Sequence, residues 1–376
     1  MGTSIERVAL TNYKSIKACD VALRPLTVIV GRNGSGKSNF LDSLHFIADS
    51  LATSLEYAIR KRGGISELAY RGPSPKIRIE ISFRTHNGRV GKYLLILTRV
   101  GVRQESLTLC THDGEPVAQY KRVGNRLTGA SYGEPLASPP KVLPDRLALV
   151  TLSGLEVFRE SFDTLAAMRF YRLNPEAMRE VHDADEGAVL REDGSNISSV
   201  WGRLEKTNNK LRRRLTEYLS VMVPDLKTVH RKTLGPKESL HFHQKRPGKR
   251  ELMFFAQSMS DGTLRALGAL VAAGQSGATV VGIEEPETAL HPGAVAALMD
   301  ALHEASGKTQ IIVTSHSPDV VDHVDVTRDA LLITESRDGA TTVAEIDPAS
   351  REAIRRHLYT PGDLLRMDQL QPALPS

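Results

Sequence analysis

An apolar run, Val28-Ile-Val30, passes directly into Gly31-Arg-Asn-Gly34-Ser-Gly36-Lys37-Ser38-Asn39, the pattern G-x-x-x-x-G-K-S. No other stretch constrains the fold as tightly, because the pattern works only where a buried strand delivers a glycine-rich loop to the start of a helix. Its four fixed positions arise by accident in roughly one chain of this length in a hundred. The helix is predicted over Ser38 to Ser50. In such a turn the glycines let the backbone close on phosphate oxygens, and the helix N-terminus presents free N–H groups. Lys37 neutralises the outer phosphates and Ser38 is a ligand for Mg2+. The candidate nucleotide-binding residues are Gly31, Asn33, Gly34, Ser35, Gly36, Lys37, Ser38 and Asn39. A phosphate cradle does not by itself separate a kinase from a GTPase or a motor.

Three later segments narrow the choice. The apolar strand Ala278 to Ile283, expected beside the phosphate-loop strand, ends in Glu284-Glu285-Pro286-Glu287. Adjacent ionised carboxylates at a strand end are costly unless a cation or a nucleophile needs them. Glu284 is read as the holder of Mg2+ and Glu285 as the group that orients or deprotonates the attacking water. Another apolar strand, Gln310 to Val313, ends in Thr314-Ser315-His316, which puts His316 at a strand tip where it can donate to a γ-phosphate. Between them and the loop stands Ser260-Asp261-Gly262-Thr263-Leu-Arg265, a turn opening an apolar helix with Ser260 as its cap.

Phosphate loop, signature turn, Walker B carboxylates and His switch, in that order, resemble the ABC-type ATPases over nearly the whole chain. The variant Ser-Asp-Gly-Thr signature, the turn Asn12-Tyr-Lys-Ser15 and the segment Glu284-Glu-Pro-Glu-Thr-Ala-Leu-His-Pro292 resemble the SMC/RecF/OLD-like branch, in particular stand-alone bacterial "AAA family" ATPases with an ABC-like layout that occur beside nuclease genes in phage-defence loci. The resemblance implies ATP and Mg2+ as cofactors, Glu284 with Ser38 in the metal shell, Glu285 as catalytic base, His316 as γ-phosphate switch and Lys37 as a catalytic cation. It also implies that Ser260 and Gly262 reach the nucleotide of a second subunit in a head-to-tail homodimer or higher oligomer. Two departures stand out: Glu284 occupies a position where transporters carry Asp, and neither Gln104 nor Gln119 has a convincing Q-loop context.

The remaining sequence gives the organisation. Strands are expected at Ile5–Leu10 and Val21–Val30, and helical sequence continues to Arg62, where Gly63-Gly64 stops it. Alternation over Lys76–Phe83, Tyr93–Thr98 and Ser106–Leu109, with turns at Asn87-Gly88 and Asp113-Gly114, reads as an antiparallel meander. Gly133 to Asp145, with four prolines, is the best internal boundary, and helices are predicted over Ser153–Arg172 and Ile197–Met222. The expected fold is α/β: a P-loop NTPase with an ABC-ATPase-like head, a β meander and an inserted helical arm without a long coiled coil. The domains are placed at 1–135, 136–249 and 250–376.

Only Cys19 and Cys110 are present, and the opening Met1–Arg7 carries no hydrophobic segment, so a soluble cytoplasmic chain with no membrane contact is expected. The net charge of +5 is concentrated in Lys227, Arg231, Lys232, Lys237, Lys245, Arg246, Lys249 and Arg250, with His230, His241 and His243 among them. With Phe242 the one aromatic there, phosphate contact with DNA fits better than base stacking; a solvated strand pair accounts for the same charges equally well. The preferred reading is an ATPase that closes a homodimer on ATP and gates DNA binding or a separately encoded nuclease of the TOPRIM or HNH type, in anti-phage defence or DNA repair. The alternative is the ATP-binding motor subunit of a membrane ABC transporter, which the long interval between Lys37 and Ser260 and the double Glu disfavour. Asp319, Asp322, Asp325 and Asp329 are too few and too close to His316 to build a nuclease centre in this chain.

Overall fold

The computed structural model describes residues 2–71, 76–124, 126–131, 134–136, 140–245 and 251–373. The chain opens with β1 (Ser4–Tyr13), β2 (Ile16–Ala22) and β3 (Leu26–Val30). The expected single strand to Val30 is therefore two, because Pro25 interrupts the ladder where the chain crosses to the buried centre of the sheet. The helical stretch after the phosphate loop is also divided, into α1 (Lys37–Ala52), α2 (Leu55–Lys61) and the short α3 (Ile65–Leu68). Ser54 starts α2 as an N-cap, accepting from Tyr57 N.

The meander runs through β4 (Ile77–Arg84), β5 (Val90–Thr98), β6 (Gly101–Cys110), β7 (Pro116–Val123), β8 (Arg126–Ser131) and β9 (Glu134–Pro135). It is longer than the sequence pattern indicated. Then come α4 (Ala148–Leu152), α5 (Glu156–Ala166), β10 (Arg169–Tyr171), α6 (Pro175–Arg179), β11 (His182–Asp183), α7 (Ile197–Thr207) and α8 (Asn209–Met222). The expected helix to Arg172 thus ends early, and Arg169-Phe-Tyr171 becomes a strand parallel to the one that carries Glu284. The second expected helix breaks at Asn208, which closes α7 and caps α8 by accepting from Leu211 N.

A small second sheet contains β11, β12 (Leu226–Leu234), β13 (Lys237–Gln244) and β14 (Leu252–Phe255). The last part alternates α9 (Asp261–Gly274), β15 (Val280–Glu284), α10 (Pro292–Ser306), β16 (Gln310–Ser315) and α11 (Pro318–Val321), then adds β17 (Ala330–Arg337), β18 (Ala340–Glu345), α12 (Pro348–Arg355) and α13 (Pro361–Arg366).

The main sheet has the order β10-β15-β16-β3-β17-β18-β2-β1-β4-β5-β6-β7-β8-β9 among the described residues. β10, β15, β16, β3 and β17 run parallel to one another, whereas β18 is antiparallel to β17, and β1, β4 and the meander are antiparallel. The strand bearing Glu284 is not beside the phosphate-loop strand, as the sequence suggested, because β16 lies between them.

Both faces of the parallel part are buried, as the period-2 side-chain alternation requires when helices cover both sides. Val28, Val30, Ile283 and Val313 point into one core with α7–α10, while Ile29, Val280 and Ile312 point into the other with α1, α4, α5 and the meander. Trp201, Leu215 and Leu219 share the first core with Val281 and Ile283, so α7 and α8 of the inserted helical segment fold back onto the ATPase elements. The division expected at 249/250 is not a division of this core. Fully buried Glu105 ties the meander to α4 by accepting from Ala148 N (2.6 Å), Leu149 N (3.0 Å) and Tyr120 Oη (2.7 Å).

Candidate nucleotide site

β3 ends at Val30, and Gly31 to Gly36 turn the chain into α1. Gly36 has φ 102° and offers no capping side chain; its carbonyl accepts from Asn39 N (3.0 Å) and Phe40 N (3.2 Å), which leaves the N–H groups of Lys37 and Ser38 at the open start of α1. A Cβ on Gly36 would stand 2.4 Å from Thr341 Oγ1, so the loop is closed tightly against β18. Thr341 Oγ1 donates to Ser35 O (2.9 Å) and exchanges a hydrogen bond with Ser15 Oγ (2.7 Å), to which Asn39 Nδ2 also donates (2.7 Å). Ser35 Oγ pairs with Thr334 Oγ1 at 2.7 Å. Sequence reasoning missed Thr334 and Thr341; β17 and β18 lie far downstream of the motif they brace. Asn33 and Gly34 form the exposed crown of the loop.

Lys37 is buried, donates to Gly31 O (2.8 Å) and Arg32 O (3.1 Å), and approaches Glu285 Oε1 at 3.6 Å. Burial lowers its pKa, and the neighbouring Glu285 carboxylate opposes that shift. Ser38 Oγ donates to Glu284 Oε2 at 2.8 Å. An alcohol and a carboxylate at hydrogen-bond distance form a hard-oxygen donor pair suited to Mg2+, and with the free helix N-terminus and Lys37 they fit a metal-bound triphosphate.

Glu285 has φ 43°, an uncommon conformation outside glycine, fixed by its N–H donating to Thr314 O (3.0 Å). His316 Nδ1 stands 3.4 Å from Glu285 Oε1. The structure thus brings Lys37, Ser38, Glu284, Glu285 and His316 together at the ends of β3, β15 and β16. It adds Glu287, which sequence reasoning quoted but gave no role. Its Oε1 accepts from Ser315 Oγ at 2.5 Å, its Oε2 is buried without a partner among the described residues, and burial raises its pKa. Its place beside the double Glu was the available signal.

Ser260 caps α9 by accepting from Thr263 N (3.3 Å). Its hydrogen bonds among the described residues stay within that turn, and it is not brought to the chain's own phosphate loop. A Cβ on Gly262 would lie 2.2 Å from Ala289 O, so the signature turn presses on the segment that follows Glu287. Arg179 on α6 holds the turn from the other side, donating to Met259 O (2.9 Å) and to Asp261. Gln104 and Gln119 lie on β6 and β7 in the meander. The segment that instead follows the strand beside β15 is Arg172-Leu-Asn174, which lines a cavity of about 850 Å3 together with Ser38, Arg265, Glu284 and Glu285.

Most of the expected basic strip falls on β12 and β13. Lys227 pairs with Glu251, Arg231 with Glu238 (3.2 Å) and His230 with Glu205 (3.1 Å). Arg246, Lys249 and Arg250 lie outside the described residues. The downstream acids are engaged locally: Asp319 and Asp322 with Arg366, Asp325 with Thr327, and Asp329 with His303. No helix among the described residues is long and apolar enough to cross a membrane.

Strand order, phosphate loop and paired carboxylates define a P-loop ATPase of the ABC type with an SMC/RecF-like layout. The chain belongs to the family described as "AAA domain, putative AbiEii toxin, Type IV TA system", whose model matches residues 26–322. The chromosome partition protein Smc of Thermoplasma acidophilum is 36% identical over 91 residues, 24% of this chain and 8% of that protein. The DNA replication and repair protein RecF of Porphyromonas gingivalis is 47% identical over 45 residues, 12% of each chain, and RecF of an Arthrobacter species is 29% identical over 97 residues, 23% of this chain and 24% of that one. The matched part is less than a quarter of each of these relatives. In fold, the chain is similar to an Smc head bound to the C-winged helix domain of ScpA (TM-score 0.59, 16% identity, 93% of this chain and 100% of that one). It is also similar to an Smc head with an extended coiled coil bound to the C-terminal domain of ScpA, derived from Pyrococcus furiosus (TM-score 0.52, 15% identity, 95% and 99%).

Proposed function

We propose that this protein binds and hydrolyses ATP at a site completed by a second copy of the chain, and that the resulting opening and closing controls contact with DNA or with a separately encoded nuclease. The observation that carries the reading is the meeting of Ser38 with Glu284 (2.8 Å) beside Lys37, Glu285 and His316. Lys37 and the first-turn N–H groups of α1 hold the phosphates and neutralise their charge. Glu285 orients the attacking water and accepts its proton, and His316 donates to the terminal phosphate. Ser38 and Glu284 would hold Mg2+, which would supply further charge neutralisation to the phosphates when bound.

Ser260 and Gly262 act on the partner's nucleotide, which accords with the Ser260 hydroxyl bonding only within its own turn among the described residues. The DNA-related names of the Smc and RecF relatives support a DNA-linked role. A family description that includes a toxin of a type IV toxin–antitoxin system supports placing that role in bacterial defence. The test is size exclusion of Glu285→Gln with and without ATP and Mg2+. A shift to a dimer only with ATP is expected, and a monomer under both conditions contradicts the composite site.

A further inference from the structure

The cavity beside the paired carboxylates contains cations that the reading above does not use. Arg172, at the end of β10, and Arg265, on α9, both line it. Among the described residues neither guanidinium has an ion pair within 4.0 Å or a side-chain hydrogen bond. Glu284 and Glu285 line the same cavity, so opposite charges face each other over a gap that their own side chains do not close. The third arginine there, Arg191, is occupied by Asp185 at 3.1 Å, and Glu192 by Lys61 at 3.1 Å.

A partly buried arginine held near carboxylates without touching them is suited to an anion placed between the two groups, and guanidinium geometry matches phosphate oxygens in particular. Ser38 and Glu284 fix where the outer phosphates would lie, on the wall of this cavity. Arg265 also shares a helix with the signature turn. It lies about 7–8 Å along the α9 axis from the Ser260 cap, and five residues of helical rotation turn it to a different face.

We propose that Arg265, assisted by Arg172, contacts the terminal phosphate of the nucleotide bound by the same chain, so that α9 reads its own nucleotide at Arg265 and the partner's at Ser260. This rests on the ATP-site reading above. Its consequence is that the signature helix distinguishes ATP from ADP before the partner docks. ADP has no phosphate at that position, so Arg265 contributes to ATP affinity and not to ADP affinity.

The experiment is calorimetric titration of the full-length wild type, Arg265→Ala, Arg265→Lys and Lys37→Ala with ADP and with the non-hydrolysable analogue AMP-PNP, each with Mg2+. Arg265→Ala is expected to weaken AMP-PNP about tenfold or more while changing ADP less than about twofold, with Arg265→Lys between it and wild type. Equal weakening of both nucleotides in both Arg265 variants, or no weakening in either, overturns the assignment while leaving the ATP site in place. A wild type that binds neither nucleotide overturns the ATP-site reading itself, and the role of Arg265 with it.

Discussion

At the ends of β3, β15 and β16, charged groups stand close without strong pairing: Lys37 is 3.6 Å from Glu285, His316 is 3.4 Å from it, and Arg265 has no partner among the described residues. On β12 and β13, Lys227, Arg231 and His230 are each tied to a carboxylate. Both regions read as charge-rich in the sequence, yet on the second the folded state ties up part of the charge and leaves Lys232, Lys237 and Lys245 without an ion pair within 4.0 Å among the described residues. An ion pair already formed must be broken before its cation can meet a phosphate, so a count of Lys and Arg overstates what a surface offers to DNA. Available charge is set by local partners, and two of the three come from outside the strip, Glu205 on α7 and Glu251 immediately before β14, while Glu238 lies on β13 itself.

The contrast can be broken most directly at Lys37. Lys37→Ala removes the buried cation of the loop and is expected to abolish nucleotide binding in a titration; retained ATP turnover would remove the loop from the mechanism. Glu285→Gln should keep ATP binding and lower the hydrolysis rate by about a hundredfold or more, the usual loss with a general base; a phosphate-release assay at the wild-type rate would exclude Glu285 as the base.

Thr341→Val tests whether the downstream brace matters to the loop. It leaves Ser35 O and Ser15 Oγ without their shared hydroxyl, and it should cost about 1–2 kcal/mol of stability in denaturant unfolding and weaken ATP several-fold. Unchanged values would make the brace incidental. The smallest effect is expected on the basic sheet. Reversing Lys232, Lys237 and Lys245 to Glu should weaken DNA binding several-fold at low salt and flatten its salt dependence, whereas reversing the paired Lys227 should do less. An equal effect from Lys227 would erase the contrast between paired and available charge.

The parts of the site that follow one another along the chain were legible. Gly31 to Asn39, Glu284-Glu285 and His316 each sit at the end of a short apolar run, where a buried parallel strand must release its chain into a loop. The meander was legible for a similar reason, since alternation and turn residues are local signals.

What could not be read depends on contacts across the chain. Thr334 and Thr341 look like ordinary strand residues until β17 and β18 are placed beside the loop. Arg169-Phe-Tyr171 carried a helical expectation because so short a segment has no periodicity of its own, and its pairing with β15 decided the outcome. Arg172 and Arg265 reached the cavity by the same long-range placement. Glu287 was visible in its motif, but its burial against Ser315 was not.

The central claim is that one ATP site needs two chains, and mixing two defective chains tests it. Lys37→Ala lacks a working phosphate loop and Ser260→Arg lacks a working signature, so each variant by itself is expected to hydrolyse almost no ATP. In an equal mixture half of the dimers pair one of each, and each such dimer holds one intact loop facing one intact signature. The mixture should therefore recover about a quarter of the wild-type rate. A mixture no more active than the two variants measured separately, or a Ser260→Arg chain that keeps the full rate, would contradict the composite site.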